Sequence, residues 1–209
     1  MVYENEDLRK NLTIIVQALE KQIDNITPQT LLDFSNFLNV ARLNDFDRLV
    51  SGKVKQGIIR RAQVLSKDEA HKEDFAALSF DQLSKILSDL VHYGYVTQIS
   101  TRLYQNIQNT NQLSNIQSIV RLFDSFFASE QGIESNDFLI SRIEKLLRIE
   151  ENFELMNIHQ LSRMARFFAK AQDLNLQTYP VLEKILEKLD KNLVNINEAD
   201  VLTIMSAFE

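Results

Sequence analysis

The sequence predicts an all-α protein, an α-solenoid of about ten antiparallel helices in stacked helix-pair repeats. Apolar residues recur at three- and four-residue spacing along most of the chain, which is the period of an amphipathic helix. Only 4 Gly and 2 Pro occur among 209 residues, and strands joined by tight turns would need more of both. Segment 156–165 repeats the Gln-Leu-Ser of segment 78–87 in the same register. Such internal similarity is the signature of stacked helical units.

The first predicted element is a helix at residues 8–24. Its apolar stripe is formed by Leu12, Ile15, Leu19 and Ile23. The next helix should begin after Thr27, because a threonine hydroxyl caps free backbone N–H groups and Pro28 suits the first turn. A long helix is predicted at 46–65, and the charged run 67–73 behind it is predicted to be a loop insertion.

Four later apolar stripes mark the first helix of further helix pairs. From Leu83 to Ile119 is 36 residues, from Ile119 to Leu161 is 42, and from Leu161 to Val201 is 40. The second helices of these pairs are predicted at residues 97–108, 136–149 and 177–191. Residues that can cap a helix precede each first helix, namely Ser79, Ser114 or Asn115, Asn157 and Asn197.

We therefore expect one helical-repeat domain over residues 1–209. Its approximate repeats are 26–77, 78–113, 114–155, 156–195 and a partial repeat at 196–209. The array is expected to be open at both ends, since it starts with a lone second helix and stops inside a first helix. Solenoid ends normally carry polar caps, so apolar residues at these ends are candidates for docking a partner. The candidate docking residues are Leu12, Ile15, Val201, Met205 and Phe208.

Composition excludes several classes of function. The net charge of −6 argues against a general nucleic-acid binder, which usually has a basic domain. The absence of cysteine rules out disulfides, thiolate metal sites and a cysteine nucleophile. No apolar run approaches the roughly 18–20 residues that a membrane-spanning helix needs, so we expect no membrane span.

Catalytic and cofactor sites are not indicated either. The three histidines, His71, His92 and His159, do not pair at the spacing that places two ligands on one helix face. Gly52 and Gly57 lack the spacing of a nucleotide-binding glycine motif. We therefore predict that the protein is not an enzyme and has no catalytic residue, no cofactor and no metal site.

Two basic clusters are candidate contacts for phosphate or for an acidic partner. The first cluster lies along the long predicted helix and consists of Arg48, Lys53, Lys55, Arg60 and Arg61. The second cluster consists of Arg163, Arg166 and Lys170. Contact with rRNA phosphates, acidic lipid headgroups or an acidic protein is the functional interpretation. The alternative is an ordinary solvated face with acidic neighbours.

The densest aromatic patch is interpreted as core packing between adjacent repeats. It consists of Phe123, Phe126, Phe127, Phe167 and Phe168. Reading of RNA bases would favour aromatic residues interleaved with the basic ones. Because the phenylalanines fall mostly on the buried stripes, the pattern favours a core role over an RNA-binding one.

The consensus Leu-Ser-x-x-x-Leu-x-x-Ile-Leu-x-x-Leu-x-x-Tyr-Gly-Tyr, at residues 78–95, resembles the helical repeats of organellar FAST-kinase-like and RAP-domain proteins and of the octotricopeptide type. Only this copy has the Tyr-Gly-Tyr turn, no RAP module follows the repeats, and HEAT repeats remain an alternative. The resemblance implies a mitochondrial or plastid setting, with a role either in RNA handling or in the structure of an organellar assembly.

The prediction for function is a non-catalytic structural or accessory scaffold subunit of a larger mitochondrial complex, such as the respiratory chain, the ATP synthase or the mitochondrial ribosome. Its partners would be the other protein subunits of that assembly. The alternative is an RNA-binding helical-repeat protein that acts in organellar RNA metabolism or contacts rRNA. The predicted location is mitochondrial, with the cytoplasm as the second choice.

Overall fold

The structure is a computed structural model, and it describes residues 6–44, 46–68, 71–93, 97–108, 110–113, 115–128 and 130–206. These residues form thirteen α-helices and contain no β-strand, which confirms the predicted all-α class. The helices are α1 (Glu6–Gln22), α2 (Pro28–Leu43), α3 (Gly52–Lys67), α4 (Lys72–Ala76), α5 (Phe80–Leu90), α6 (Thr97–Ile107), α7 (Ile116–Phe127), α8 (Glu130–Glu134), α9 (Asp137–Leu147), α10 (Glu150–Glu154), α11 (Ile158–Asp173), α12 (Tyr179–Lys191) and α13 (Glu198–Met205). None of the helices in the described ranges is long and apolar enough to cross a membrane.

Three five-residue helices, α4, α8 and α10, were not expected from the sequence. The predicted loop insertion 67–73 is partly helical, because α3 continues to Lys67 and α4 begins at Lys72. The predicted helix 46–65 is divided into a short 3-10 turn and α3. The division falls where the Ser51 hydroxyl accepts a hydrogen bond from the Val54 amide, 3.2 Å away, and so caps a new helix.

The repeated phrase marks the start of a helix. Ser79 and Gln82 form a capping box in which the Gln82 side chain accepts from the Ser79 amide at 2.8 Å. Asn157 and Gln160 form the same box at the start of α11, at 3.0 Å. The Gln-Leu-Ser phrase therefore supplies a capping glutamine, a core leucine and a small buried serine in sequence.

The longer helices pack in two rows. In the first row, α2 packs on α5, α5 on α7, α7 on α11, and α11 on α13. In the second row, α1 packs on α3, α3 on α6, and α6 on α9. We count α12 with the second row, because it packs against α11 and its Lys184 bonds the carbonyl of Arg148 after α9. The hydrophobic core includes Leu83 of α5, Ile119 of α7 and Leu161 of α11, which are fully buried.

Phenylalanines join α7 to α11 within this core. The rings of Phe123 and Phe167 stack with their centroids 4.0 Å apart, and Phe168 meets Phe123 edge-on at 5.5 Å. Phe126 is also fully buried, whereas Phe127 is half-buried beneath Arg166. The interpretation of this patch as core packing is thereby confirmed.

Cations of the second row bind backbone carbonyls of a neighbouring helix end. Arg61 donates to Ile26 O at 3.0 Å, and Arg102 donates to Ser66 O at 3.5 Å. Further along, Arg142 donates to Ile107 O at 3.0 Å and Lys184 donates to Arg148 O at 3.3 Å. From Arg61 to Arg102 is 41 residues, from Arg102 to Arg142 is 40, and from Arg142 to Lys184 is 42. One contact thus recurs at nearly constant spacing and satisfies carbonyls that a helix end leaves open.

Candidate functional site

The first predicted basic cluster is divided by the fold, since Lys53, Arg60 and Arg61 line one groove between α1 and α3 whereas Arg48 and Lys55 are not among its lining residues. Lys53 pairs with Glu20 at 2.5 Å, Lys55 pairs with Asp47 at 2.6 Å, and Arg61 donates to a backbone carbonyl. Arg48 and Arg60 are exposed, and within the described residues neither makes a hydrogen bond or ion pair. Three of the five cations are therefore engaged within the fold.

Lys55 is part of a hydrogen-bond network with Asp47 and Tyr93. The Tyr93 hydroxyl lies 2.8 Å from both the Leu38 carbonyl oxygen and Asp47 Oδ1. Burial alone would raise the pKa of Asp47, but the hydrogen bonds from Lys55 and Tyr93 outweigh it and lower that pKa. Burial, with the hydrogen bond to Asp47, raises the pKa of Tyr93. This network ties α3 to the region after α5.

The second predicted cluster gathers around one carboxylate of the neighbouring helix. Arg163 and Arg166 both pair with Asp124 of α7, and the Arg166 guanidinium lies 4.4 Å from the centroid of the Phe127 ring. Lys170 is half-buried one turn further along α11. The structure therefore brings two of the three predicted cations together.

Arg163 also lines a groove of about 420 Å³ that crosses α2, α5, α7 and α11. We call it the first-row groove. The side chains that matter for its chemistry are Arg42, Ser88, Asp89, Arg121, Asp124 and Arg163. With Lys85, it contains four cations and two carboxylates, so its formal charge is +2 in a chain whose net charge is −6.

Arg42, Lys85 and Arg121 were missed at the sequence level, although a signal was present. In three of the apolar stripes, a cation stands two positions after the first apolar residue. These cations are Lys85, Arg121 and Arg163. Equivalent positions on packed helices lie side by side, so the three cations fall on one face of the first row. Looking for charged residues along one helix at a time does not detect a group of cations that several helices contribute.

Asp89 is the most buried charged group of the groove, with 2 % of its side chain exposed. Its Oδ2 accepts from Lys85 Nζ at 3.1 Å and from Ser35 Oγ at 3.4 Å. Burial raises the pKa of Asp89, although Lys85, Ser35 and the charge of Arg121 act in the opposite direction.

Two arginines of the groove retain unused hydrogen-bonding capacity. Arg121 is exposed and has no hydrogen bond or ion pair to its side chain within the described residues. Arg42 donates to Asn39 at 3.0 Å, but its Nε is buried without a partner. The Ser88 hydroxyl, on a residue only 3 % exposed, is buried without a partner as well.

The positive charges of the groove act on one another and on a histidine. Burial lowers the pKa of Arg163, and the neighbouring charges of Arg166 and Arg121 lower it further. Burial and the charge of Arg42 lower the pKa of His92. The arrangement holds several cations close together with only two carboxylates to balance them, which favours an incoming anion.

A larger groove of about 690 Å³ lies between α1 and α3. Its cations Lys53, Arg60 and Arg61 face the carboxylates of Glu20 and Asp24. None of the buried polar atoms that lack a partner in the described part of the chain lines this groove. The first-row groove is therefore the stronger candidate for a binding site.

The predicted docking residues at the ends have mixed exposure. Leu12 is half-buried and Ile15 is 45 % exposed, while Val16 takes the inward position of the predicted α1 stripe. Ile15 lies off the inward face because α1 carries three successive apolar residues, and its role in docking stays a prediction. On α13, Val201 is 43 % exposed and Met205 57 %. Phe208 lies outside the described residues.

Among the residues that the structure describes, no group of three or more His, Asp or Glu side chains is placed to hold a metal ion. Comparison of the chain with known protein families, with curated proteins and with solved structures gave no match.

Proposed function

We propose that this protein is a non-catalytic helical-repeat scaffold that binds a protein partner across its first row of helices. The helices would form an α-solenoid of stacked pairs. The evenly spaced contacts between second-row cations and backbone carbonyls support this arrangement, as does the packing of α2, α5, α7 and α11 in sequence. A mitochondrial setting and membership of a large assembly remain predictions from the resemblance.

The observation that carries the proposal is the unused bonding capacity in the first-row groove. Buried polar atoms are nearly always paired in folded proteins, because leaving one unpaired costs about 1–3 kcal/mol. Arg42 and Ser88 each leave one buried polar atom unpaired at the groove, beside the unpaired guanidinium of Arg121. Departures of this kind are expected where a surface is shaped for a ligand rather than for the fold.

The lining of the groove favours a protein over RNA. Asp89 and Asp124 would repel a continuous row of phosphates, whereas a polypeptide presents N–H donors, carbonyl oxygens and separate carboxylates. The total charge of the groove is only +2, which suits a partner with few negative charges.

The test is native purification of the tagged protein, with identification and quantification of what co-purifies. We expect a stoichiometric protein partner that resists ribonuclease. Arg121→Gln should reduce its recovery about tenfold or more, since hydrogen bonds to charged groups are worth about 1.5–3 kcal/mol. The matched control is Arg60→Gln, an exposed arginine of the second row that should leave recovery unchanged.

Recovery of the wild-type protein as a lone monomer would overturn the scaffold proposal. A partner that binds Arg121→Gln as well as the wild type would move the binding surface away from the groove. Ribonuclease-sensitive recovery with a steep dependence on salt would replace the protein partner with RNA.

A further inference from the structure

We infer that the first-row groove takes an extended acidic peptide segment of the partner, with an Asp or Glu carboxylate of that segment bound between Arg42 and Arg121. This inference rests on the proposed function and specifies the chemistry of its ligand.

The span of the groove sets the shape of the occupant. It crosses four helices that pack on one another in order, α2, α5, α7 and α11. Helices pack about 8–10 Å apart, so four of them extend over about 25–30 Å. An extended chain rises about 3.3 Å per residue, so a segment of about eight residues covers this distance. A single small anion would occupy only a fraction of it.

The two arginines with unused capacity fix where the carboxylate binds. Arg42 on α2 and Arg121 on α7 lie on either side of α5. Both side chains line the groove beside α5, which contributes Lys85 and Asp89 to the same lining. A guanidinium presents a planar set of N–H donors that matches a carboxylate, and such charge-assisted bonds are the stronger class of hydrogen bond.

The other cations of the groove are already engaged. Lys85 is bound to Asn36 at 2.9 Å and to Asp89 at 3.1 Å, and Arg163 is paired with Asp124. These pairs leave Arg42, which is bonded to Asn39, and Arg121 as the cations without a carboxylate partner in the described part of the groove. The buried hydroxyl of Ser88, which has no partner among the described residues, belongs to the lining of the same groove.

The experiment is to select, from a displayed library of random octapeptides, those that bind the full-length protein. We expect the recovered peptides to be enriched in Asp or Glu. A selected peptide, fluorescently labelled, should bind the wild type and lose affinity about ten- to hundredfold with Arg42→Gln or with Arg121→Gln. Replacing the acidic residue of the peptide by its amide should give a similar loss, and Arg60→Gln should leave affinity within about twofold.

Thermal unfolding of each variant separates loss of binding from loss of folding. Arg121→Gln removes no side-chain bond to the described residues, so its affinity is interpretable even if Arg42→Gln, which loses the bond to Asn39, is less stable. Failure to enrich acidic peptides, or equal affinity for the wild type and Arg121→Gln, overturns the inference.

If acidic peptides are absent but recovery of the partner still depends on Arg121, the proposed function stands and only the acidic-peptide ligand fails. If a labelled octauridine binds in the groove instead, with steep salt dependence, the ligand is RNA and the inference is overturned.

Discussion

In the second row of helices, Arg61, Arg142 and Lys184 donate to backbone carbonyls at neighbouring helix ends. In the first row, Arg121 has no such acceptor among the residues that the structure describes, and the buried Nε of Arg42 has none there either. The residue types are the same and the spacing along the chain is similar. What differs is whether a helix end with open carbonyls lies within reach of the cation. Arg61, Arg142 and Lys184 therefore contribute to the stability of the fold, whereas Arg42 and Arg121 retain hydrogen-bonding capacity for a partner.

The largest effect on stability in this comparison is expected at Arg142. Its side chain donates to three carbonyls, those of Ile107, Gln108 and Thr110, at 3.0, 2.9 and 2.6 Å. Arg142→Ala should lower the free energy of unfolding by about 2–3 kcal/mol, because several charge-assisted hydrogen bonds are lost together. Chemical denaturation measures this loss. A change below about 0.5 kcal/mol would mean that these contacts do not stabilise the fold.

Arg61 and Arg60 provide a matched pair on adjacent positions of α3. Arg61 makes one 3.0 Å bond to Ile26 O, whereas Arg60 is exposed and points to no acceptor within the described residues. Arg61→Ala should cost about 1 kcal/mol of unfolding free energy, and Arg60→Ala should cost less than about 0.5 kcal/mol. Equal losses in urea denaturation would show that helix propensity or net charge, rather than the carbonyl contact, sets the effect.

Two carboxylates should respond to pH in opposite directions. The pKa of Asp47 lies below its ordinary value of 3.8, so its contribution to stability is present above that pH and is lost as the pH falls through the folded-state pKa. The pKa of Asp89 lies above 3.8, so folding favours its protonated form and stability decreases as the pH rises through its folded-state pKa.

Unfolding free energies of Asp47→Asn and Asp89→Asn, measured from about pH 3 to pH 7 beside the wild type, check this pair. The difference between wild type and Asp47→Asn should grow with pH and level off above the ordinary Asp pKa. The free energy of unfolding of the wild type, relative to that of Asp89→Asn, should decrease as the pH rises. If the free energies of unfolding of all three proteins change with pH in parallel, Asp47 and Asp89 do not affect stability in opposite directions.

The smallest effect on stability is expected at Arg121. Its side chain is exposed and makes no hydrogen bond within the described residues, so Arg121→Ala should change the free energy of unfolding by less than about 0.5 kcal/mol. A stabilising change would also fit, because Arg121 adds to the repulsion felt by Arg163. A loss of 2 kcal/mol or more, on the order of a buried polar contact, would place Arg121 among the residues that hold the fold.

Helix starts are the part of this fold that the sequence predicts best. Thr27, Ser79, Asn115, Asn157 and Asn197 each cap the helix that follows, as expected from residue type alone. Capping is a local interaction over three residues, so it needs no knowledge of tertiary packing. The five-residue helices α4, α8 and α10 lie between the predicted elements and are too short to show a helical period.

The groove was beyond single-helix analysis for a physical reason. Arg42, Asp89, Arg121 and Arg163 come from four helices and meet only after these pack. A run of cations on one helix, such as the first basic cluster, does not show which of them has an acceptor on the next helix. Arg61 looks like Arg60 in the sequence, yet only Arg61 lies at the distance from Ile26 O that makes it part of the fold.

The most direct test of the division between the rows is a side-by-side study of Arg121→Gln and Arg142→Gln, with unfolding free energy and partner recovery measured on both. We predict that Arg121→Gln keeps the wild-type stability and loses the partner. We predict that Arg142→Gln is less stable but that its folded fraction recovers the partner as the wild type does. The opposite pattern, with the partner retained by Arg121→Gln and lost by folded Arg142→Gln, would contradict the account.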